Sequence, residues 1–152
     1  MTITLHNVWH ILRLRIDGDC VQEGETASKK TPNQQKTELA EFLHANPVAL
    51  LAEMKRGSIK FQTLQDLGER LEDPEARACA YLLYLVSSTI FCDKSVDRAK
   101  HRFLPLIREA RRVDRYAWGA GALAYLCRRL GEATRADCKQ LCGSATLLQV
   151  TS

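Results

Sequence analysis

Residues 115–126 read RYAWGAGALAYL, which places one large aromatic residue, Trp118, beside a run of small residues. Trp118 offers a broad apolar surface, while Gly119 and Gly121 allow another backbone to come close. A glycine in a helix interior costs roughly 0.5–1 kcal/mol relative to alanine, so two within three positions indicate tight packing. The segment holds no catalytic group. It therefore predicts a buried, closely packed helix with no visible chemistry.

Helical patterns continue toward the N-terminus. Thr4 is a suitable N-cap for a helix whose apolar face repeats at i, i+3 and i+7. Residues 19–36 are polar, and we predict a mobile loop there. A second helix is expected to begin near Thr37 and to stop before Pro47.

The centre of the chain gives the clearest helix. Asp73 is the predicted N-cap and Pro74 the first-turn residue, which suits the fixed φ and the missing donor of proline. The residues that follow are apolar on all sides, so this helix is expected to be buried nearly all round. Before it, Ile59 and Phe61 alternate like a short extended segment.

Two helices are predicted for the last part of the chain. The first covers residues 117–130 and is ended by Gly131, and the second covers residues 135–141. The sequence therefore predicts a mainly α fold, a compact multi-helix domain with at most a small β-hairpin.

Charge is unevenly distributed. Residues 1–93 carry 10 Lys and Arg against 13 Asp and Glu, a net charge of −3, whereas residues 94–152 carry 12 against 5, a net of +7. On one α-helix, four arginines would lie at i, i+3, i+4 and i+7 and form a basic stripe: Arg108, Arg111, Arg112 and Arg115. Such a stripe could bind phosphates in a salt-sensitive, sequence-blind way. The alternative is a solvated face, or pairing with the acidic first half.

Other constellations do not amount to an active site. His6 and His10 stand at i, i+4, but Asn7 replaces the glutamate of a HExxH motif and no third ligand is placed. Cys138 and Cys142 lack two further zinc ligands, so reduced thiols are the better interpretation. Asp93-Lys94-Ser95 offers acid, amine and hydroxyl without a base or an oxyanion site. We predict no catalytic residue, no metal and no cofactor.

The overall composition is that of a globular protein. The 152 residues are 45% apolar and 26% charged, and no apolar run approaches the roughly 20 residues of a membrane helix. We expect no signal peptide and no membrane association, because Met1 leads into a mixed segment. The nucleus or the cytoplasm is the expected compartment.

Several ordered motifs resemble one family, the plant mobile domain, also called the aminotransferase-like plant mobile domain. Residues 115–126 resemble its YSWGSAALAWL stretch. Five other segments resemble family motifs in the same order: Met1-Thr2-Ile3-Thr4-Leu5, Ile16-Asp17-Gly18, Gly57-Ser58-Ile59-Lys60-Phe61, Thr89-Ile90-Phe91-Cys92-Asp93-Lys94-Ser95 and Phe103-Leu104-Pro105-Leu106. Leu147-Leu148-Gln149 resembles the LLLLQ that runs into a Trp-rich segment in the family. Because Val150-Thr151-Ser152 follows instead, we predict that residues 1–152 are a truncated part of a larger domain.

The resemblance implies a nuclear plant protein linked to meristem maintenance, genome stability and transposon silencing. It implies protein partners, among them a phosphatase-like nuclear protein, because such domains also occur beside a phosphatase domain. No phosphatase metal motif is present, and the sequence shows no phosphate cup or pyridine-facing carboxylate for pyridoxal phosphate. We therefore expect a non-enzymatic interaction domain, in which Trp118, Gly119 and Gly121 set packing and the arginines meet an acidic partner. Weak nucleic-acid binding through residues 94–115 is the alternative.

Overall fold

The structure is a computed structural model that describes residues 3–21, 30–55, 57–93, 97–135 and 142–151. Within these residues the chain is mainly α-helical, which confirms the predicted fold class. The α-helices of the described residues are α1 (Leu5–Leu12), α2 (Pro32–Phe42), α3 (Pro47–Glu53), α4 (Phe61–Glu69), α5 (Pro74–Leu85), α6 (Leu104–Ile107), α7 (Trp118–Ala133) and α8 (Ala145–Thr151).

A two-stranded antiparallel sheet joins β1 (Ser58–Lys60) and β2 (Arg98–Lys100), with Ile59 opposite Ala99. Its size agrees with the expected hairpin, but its connection does not, because α4 and α5 lie between the strands in sequence. Alternation at Ile59 and Phe61 predicted the extended segment, whereas Phe61 already begins α4. A pairing between distant segments leaves no trace in local periodicity.

The chain divides into two compact units. The first consists of Met1–Gln22, Thr89–Val96 and Asp114–Ser152, and the second consists of Glu23–Ser88 and Asp97–Val113.

In the first unit, α1 packs against α7 and α8. Val8, Leu126 and Leu147 are fully buried at this junction, one from each helix. Thr4 caps α1 as predicted, because its side chain accepts a hydrogen bond from the Asn7 N–H. Partly buried apolar residues of the same helices pack against these three, among them Ile11, Leu123 and Leu148.

In the second unit, α4 packs against α5, α2 against α3, and α5 against α6 and β2. The largest fully buried side chains of this unit come from several of these elements: Leu39, Leu50, Ile59, Leu64, Leu83, Phe103 and Ile107. The core is therefore built by short helices that each bury one face.

Helix α5 confirms its predicted start and corrects its predicted burial. Asp73 accepts hydrogen bonds from the N–H groups of Glu75 and Ala76, and Pro74 is the first helical residue. The expectation of burial on nearly all sides is wrong, because Tyr81 is 61% exposed. Continuous apolar sequence cannot distinguish a buried face from an open apolar groove. Beyond Leu85 the chain continues as a π-helix, Val86–Ile90.

Two predicted boundaries need correction. The polar loop expected for residues 19–36 is too long, because α2 begins at Pro32 rather than near Thr37. The side chain of Thr31 accepts from the Gln34 N–H and that of Gln34 accepts from the Thr31 N–H, a capping box that stabilises this start. Residues 22–29, and 136–141 of the second predicted C-terminal helix, lie outside the described residues. Gly131 does not end α7, which continues to Ala133.

Candidate functional site

Trp118 and Gly119 form a close packing contact inside the first unit. Trp118 begins α7, is only 6% exposed, and places its ring 5.9 Å from that of Tyr116. The N–H of Gly119 donates to the carbonyl of Arg15 at 2.7 Å. A Cβ on Gly119 would lie 2.9 Å from that same oxygen, so no larger residue fits without a shift. The backbone that approaches this glycine belongs to the chain itself.

Gly121 lies two residues further along α7 and faces other neighbours of the first unit. A Cβ there would lie 3.0 Å from the Cβ of Val21 and 3.4 Å from Cζ of Phe91. Phe91 also packs edge-on against Tyr125, with ring centroids 5.2 Å apart. Both glycines therefore allow close packing against other residues of the first unit.

The basic stripe is not formed as an α-helical face. Helix α6 ends at Ile107, and Ala110–Arg115 is a 3₁₀-helix, in which residues four apart do not align. The carbonyl of Arg108 lies 3.7 Å from the thiol of Cys79, which donates to it across the unit. Arg111, Arg112 and Arg115 are exposed.

Arg108 faces acidic residues of its own unit. It lines a cleft of about 250 Å³ together with Glu41, Asp73 and Glu75. Arg112 forms an ion pair with Glu109, with Nε and Oε2 3.0 Å apart. Two of the four arginines are thus placed beside carboxylates within the chain. Only Arg108 lies beside carboxylates of the acidic first half, because Glu109 belongs to the basic second half.

Asp93 belongs to an ion-pair network centred on Arg129. Its carboxylate lies 3.7 Å from the guanidinium of Arg129, which also pairs with Glu132 at 2.7 Å and stacks over the ring of Tyr125. Burial lowers the pKa of Arg129, but hydrogen bonds to Glu132 and Tyr125 outweigh it and raise that pKa overall. The guanidinium is therefore a fixed positive charge. Lys94 and Ser95 lie outside the described residues.

His101 lies within the basic segment of residues 94–115, but its side chain is buried in the structure. Its side chain is 1% exposed, and Nε2 lies 3.2 Å from Oε2 of Glu38, whose other oxygen pairs with Lys30. Burial lowers the pKa of His101 most strongly, Glu38 opposes this shift, and Lys30 reinforces it. The flanking apolar sequence at Phe103 and Leu104 was the available indication that this histidine is internal.

An apolar groove lies between α4 and α5 in the second unit, and we call it the α4–α5 groove. It encloses about 490 Å³, and its lining is mostly apolar. Leu64, Gly68 and Ala80 are buried along it, whereas Tyr81 is exposed. Tyr84 connects this tyrosine to the core, since its ring stacks on Tyr81 at 6.4 Å and packs edge-on against Phe61. The groove was not predicted, because the apolar sequence of α5 indicated burial on nearly all sides.

The described histidine, cysteine and acidic side chains give little support for a metal site. The rings of His6 and His10 pack edge-on on α1, with centroids 4.2 Å apart. Within the described ranges, no three His, Cys, Asp or Glu residues gather as metal ligands. Cys142 is buried and forms no disulfide with another described cysteine, and Cys138 lies outside those ranges. Likewise, no described helix combines the length and apolar character needed to cross a membrane.

Comparison with known proteins gives a consistent result. A family described as plant mobile domain matches residues 1–152. Protein MAIN-LIKE 1 of Arabidopsis thaliana is 37% identical over 158 residues, which cover 100% of this chain and 30% of that protein. Protein MAINTENANCE OF MERISTEMS of the same plant is 32% identical over 158 residues, covering 100% of this chain and 32% of that protein.

A third relative carries a phosphatase name. Serine/threonine-protein phosphatase 7 long form homolog of Arabidopsis thaliana is 30% identical over 156 residues, covering 99% of this chain and 11% of that protein. The chain therefore spans about a third or less of the length of these curated relatives. No solved structure matches the chain.

Proposed function

This chain belongs to the plant mobile domain family, and from that premise we propose that it is a non-enzymatic protein-interaction domain acting in the nucleus. The proposed setting is meristem maintenance, with genome stability and transposon silencing as related roles. The printed name of the relative MAINTENANCE OF MERISTEMS supports the first of these. A phosphatase-like nuclear protein is the proposed type of partner.

The α4–α5 groove is the observation that carries the proposal. An apolar groove of about 490 Å³ with a 61% exposed tyrosine is costly to leave in water, and tyrosine is enriched at protein interfaces. Asp93 pairs with Arg129, and the side chain of His101 is buried beside Glu38. Binding at an open surface is therefore the activity that these side chains support best.

Photo-crosslinking from the groove tests the proposal. A benzophenone amino acid replaces Tyr81 in the full chain, which is then irradiated in extracts of plant nuclei. The matched control carries the same group at Val48, which is 70% exposed on α3 and does not line the groove. We expect the probe at Tyr81 to crosslink a small set of proteins that the probe at Val48 does not. Identical sets from both positions, or none from Tyr81, would reject the proposal.

Nucleic-acid binding is the second candidate, and the exposed arginines favour it. Arg111, Arg112 and Arg115 are all exposed, in a half of the chain with a net charge of +7. We rank it second because the α-helical stripe is not formed and Arg112 is paired with Glu109. Affinity would then rest on a few phosphate contacts and would be weak.

A salt titration separates this candidate from the first. If Arg111 and Arg112 contact phosphates, the affinity for duplex DNA falls with salt, with a log–log slope of about −0.9 per contact. Replacing both with Glu would then abolish binding in a fluorescence anisotropy assay. Affinity that survives both changes would exclude this mode of binding.

A further inference from the structure

The α4–α5 groove has the dimensions to receive one face of a helix. Its walls are helices of 9 and 12 residues. At 1.5 Å per residue these walls are about 13 and 18 Å long. The helices approach closely at Gly68, where a Cβ would lie 3.2 Å from that of Ala80. Amphipathic helices bind such grooves through apolar side chains at i, i+3, i+4 and i+7.

Two charged side chains line the groove, Glu69 and Arg77. Both Nε and Nη2 of Arg77 donate to the carbonyl of Leu71, at 3.2 and 2.6 Å. The carboxylate of Glu69 is exposed and has no hydrogen bond or ion pair with another described residue. An approaching ligand therefore meets an uncommitted carboxylate beside an apolar surface.

We propose that the α4–α5 groove binds an amphipathic helix of a partner protein. Its apolar side chains pack against Leu64, Ala80 and Tyr81, and its Lys or Arg residues lie beside Glu69. This inference rests on the proposed interaction function and adds the chemistry of the partner. Complementary charge fixes the orientation of such a helix and rejects acidic competitors.

Three labelled peptides of equal length provide the test with the full 152-residue chain. One is a model amphipathic helix of Leu and Lys, the second has every Lys replaced by Glu, and the third is proline-rich. Because the chain carries a formal net charge of +4, non-specific attraction would favour the acidic peptide. We expect fluorescence anisotropy to show the opposite, with the basic peptide bound about tenfold tighter, because local charge complementarity discriminates between partners.

Variants of the chain locate the binding site. Tyr81→Ala is expected to lower the affinity for the basic peptide by about tenfold or more, since tyrosines at interfaces are frequent hot spots. Val48→Ala, which removes an exposed apolar side chain outside the groove, is expected to leave affinity unchanged. Glu69→Lys is expected to lower the affinity for the basic peptide and to raise the affinity for the acidic one. A variant that merely unfolds would not exchange the two preferences, and circular dichroism verifies the fold.

Three results would overturn the inference. The acidic or proline-rich peptide binds as tightly as the basic one, or Tyr81→Ala leaves affinity unchanged. Alternatively, the chain alone dimerises and Tyr81→Ala abolishes the dimer, which assigns the groove to a second copy. If the peptides fail while the probe at Tyr81 still crosslinks a nuclear protein, only the partner chemistry is wrong. If that crosslink is also missing, the proposed function fails as well.

Discussion

Gly119 and Gly131 lie in the same helix, α7, but have opposite surroundings. A Cβ on Gly119 would lie 2.9 Å from the Arg15 carbonyl, whereas a Cβ on Gly131 meets nothing within 4 Å. We expect Gly119→Ala to destabilise the fold by about 1–3 kcal/mol through overpacking. Gly131→Ala should stabilise it by about 0.5–1 kcal/mol through helix propensity. Urea unfolding followed by circular dichroism measures both.

The pair serves as its own control, because the chemical change is identical. Equal changes in the free energy of unfolding at the two positions would show that helix propensity alone determines both. That result would remove the argument that close backbone approach requires glycine at position 119. The sequence predicted such an approach from Gly119 and Gly121, but the identity of the neighbouring backbone, Arg15, required the structure.

His101 makes stability depend on pH. Burial lowers its pKa below the ordinary value of 6.5, despite the opposing effect of Glu38. As the pH falls below 6.5, the unfolded state takes up a proton that the folded state still resists, so the free energy of unfolding decreases. Above 6.5 both states hold neutral His101, and its contribution to stability is constant.

The measurement is urea unfolding between pH 5 and 8 for the wild-type chain and His101→Gln. Other groups also titrate in this range, so the difference between the two curves is the informative quantity. We expect the variant to lose less stability than the wild-type chain as the pH decreases from 6.5. Parallel curves would show that His101 is protonated equally in the folded and unfolded states.

At the scale of elements, Arg98 connects β2 to the end of α3. Its Nη2 donates to the carbonyls of Glu53 at 2.6 Å and Ser58 at 2.9 Å, and Nε donates to Oγ of Ser58 at 2.9 Å. We expect Arg98→Met to cost about 1–3 kcal/mol, because buried acceptors lose their donor. Lys60 stands opposite Arg98 in the ladder and is exposed. Lys60→Met should therefore change the free energy of unfolding by less than about 0.5 kcal/mol.

Thermal or urea unfolding of the two variants decides whether this connection is needed. Both changes remove one positive charge from the same strand pair, so net charge cannot explain a difference between them. Equal destabilisation would show that the three hydrogen bonds of Arg98 contribute nothing beyond charge. An Arg98→Lys variant is expected to recover only part of the loss, because one ammonium cannot reproduce the guanidinium fork.

Elements with local determinants were predictable from the sequence. Thr4 and Asp73 cap their helices as expected, since the capping oxygen and the N–H groups it receives lie within three residues. The 3₁₀ segment Ala110–Arg115 was not predictable, because the same arginine spacing is compatible with an α-helix. The β1–β2 pairing was also missed, because it joins segments that are remote in sequence.

For the whole molecule, the composition and the family resemblance predicted the fold class and the family, but they did not predict the α4–α5 groove. The mainly α fold and the family follow from helical periodicity and ordered motifs, and both are confirmed. The α4–α5 groove depends on how two helices pack at Gly68 and Ala80, and a single helix pattern carries no such information. Buried His101 was hidden for the same reason, among residues that look like a basic segment.

Hydroxyl-radical footprinting of Tyr81 measures whether a partner protein covers the α4–α5 groove. The tagged chain is oxidised twice, once purified alone and once within the complexes isolated from plant nuclei. Trp9, which is 41% exposed on α1, serves as an internal reference. If a partner covers the groove, oxidation of Tyr81 falls severalfold in the complexes while that of Trp9 is unchanged. Equal oxidation of Tyr81 in both samples would show that the groove is not the interaction surface.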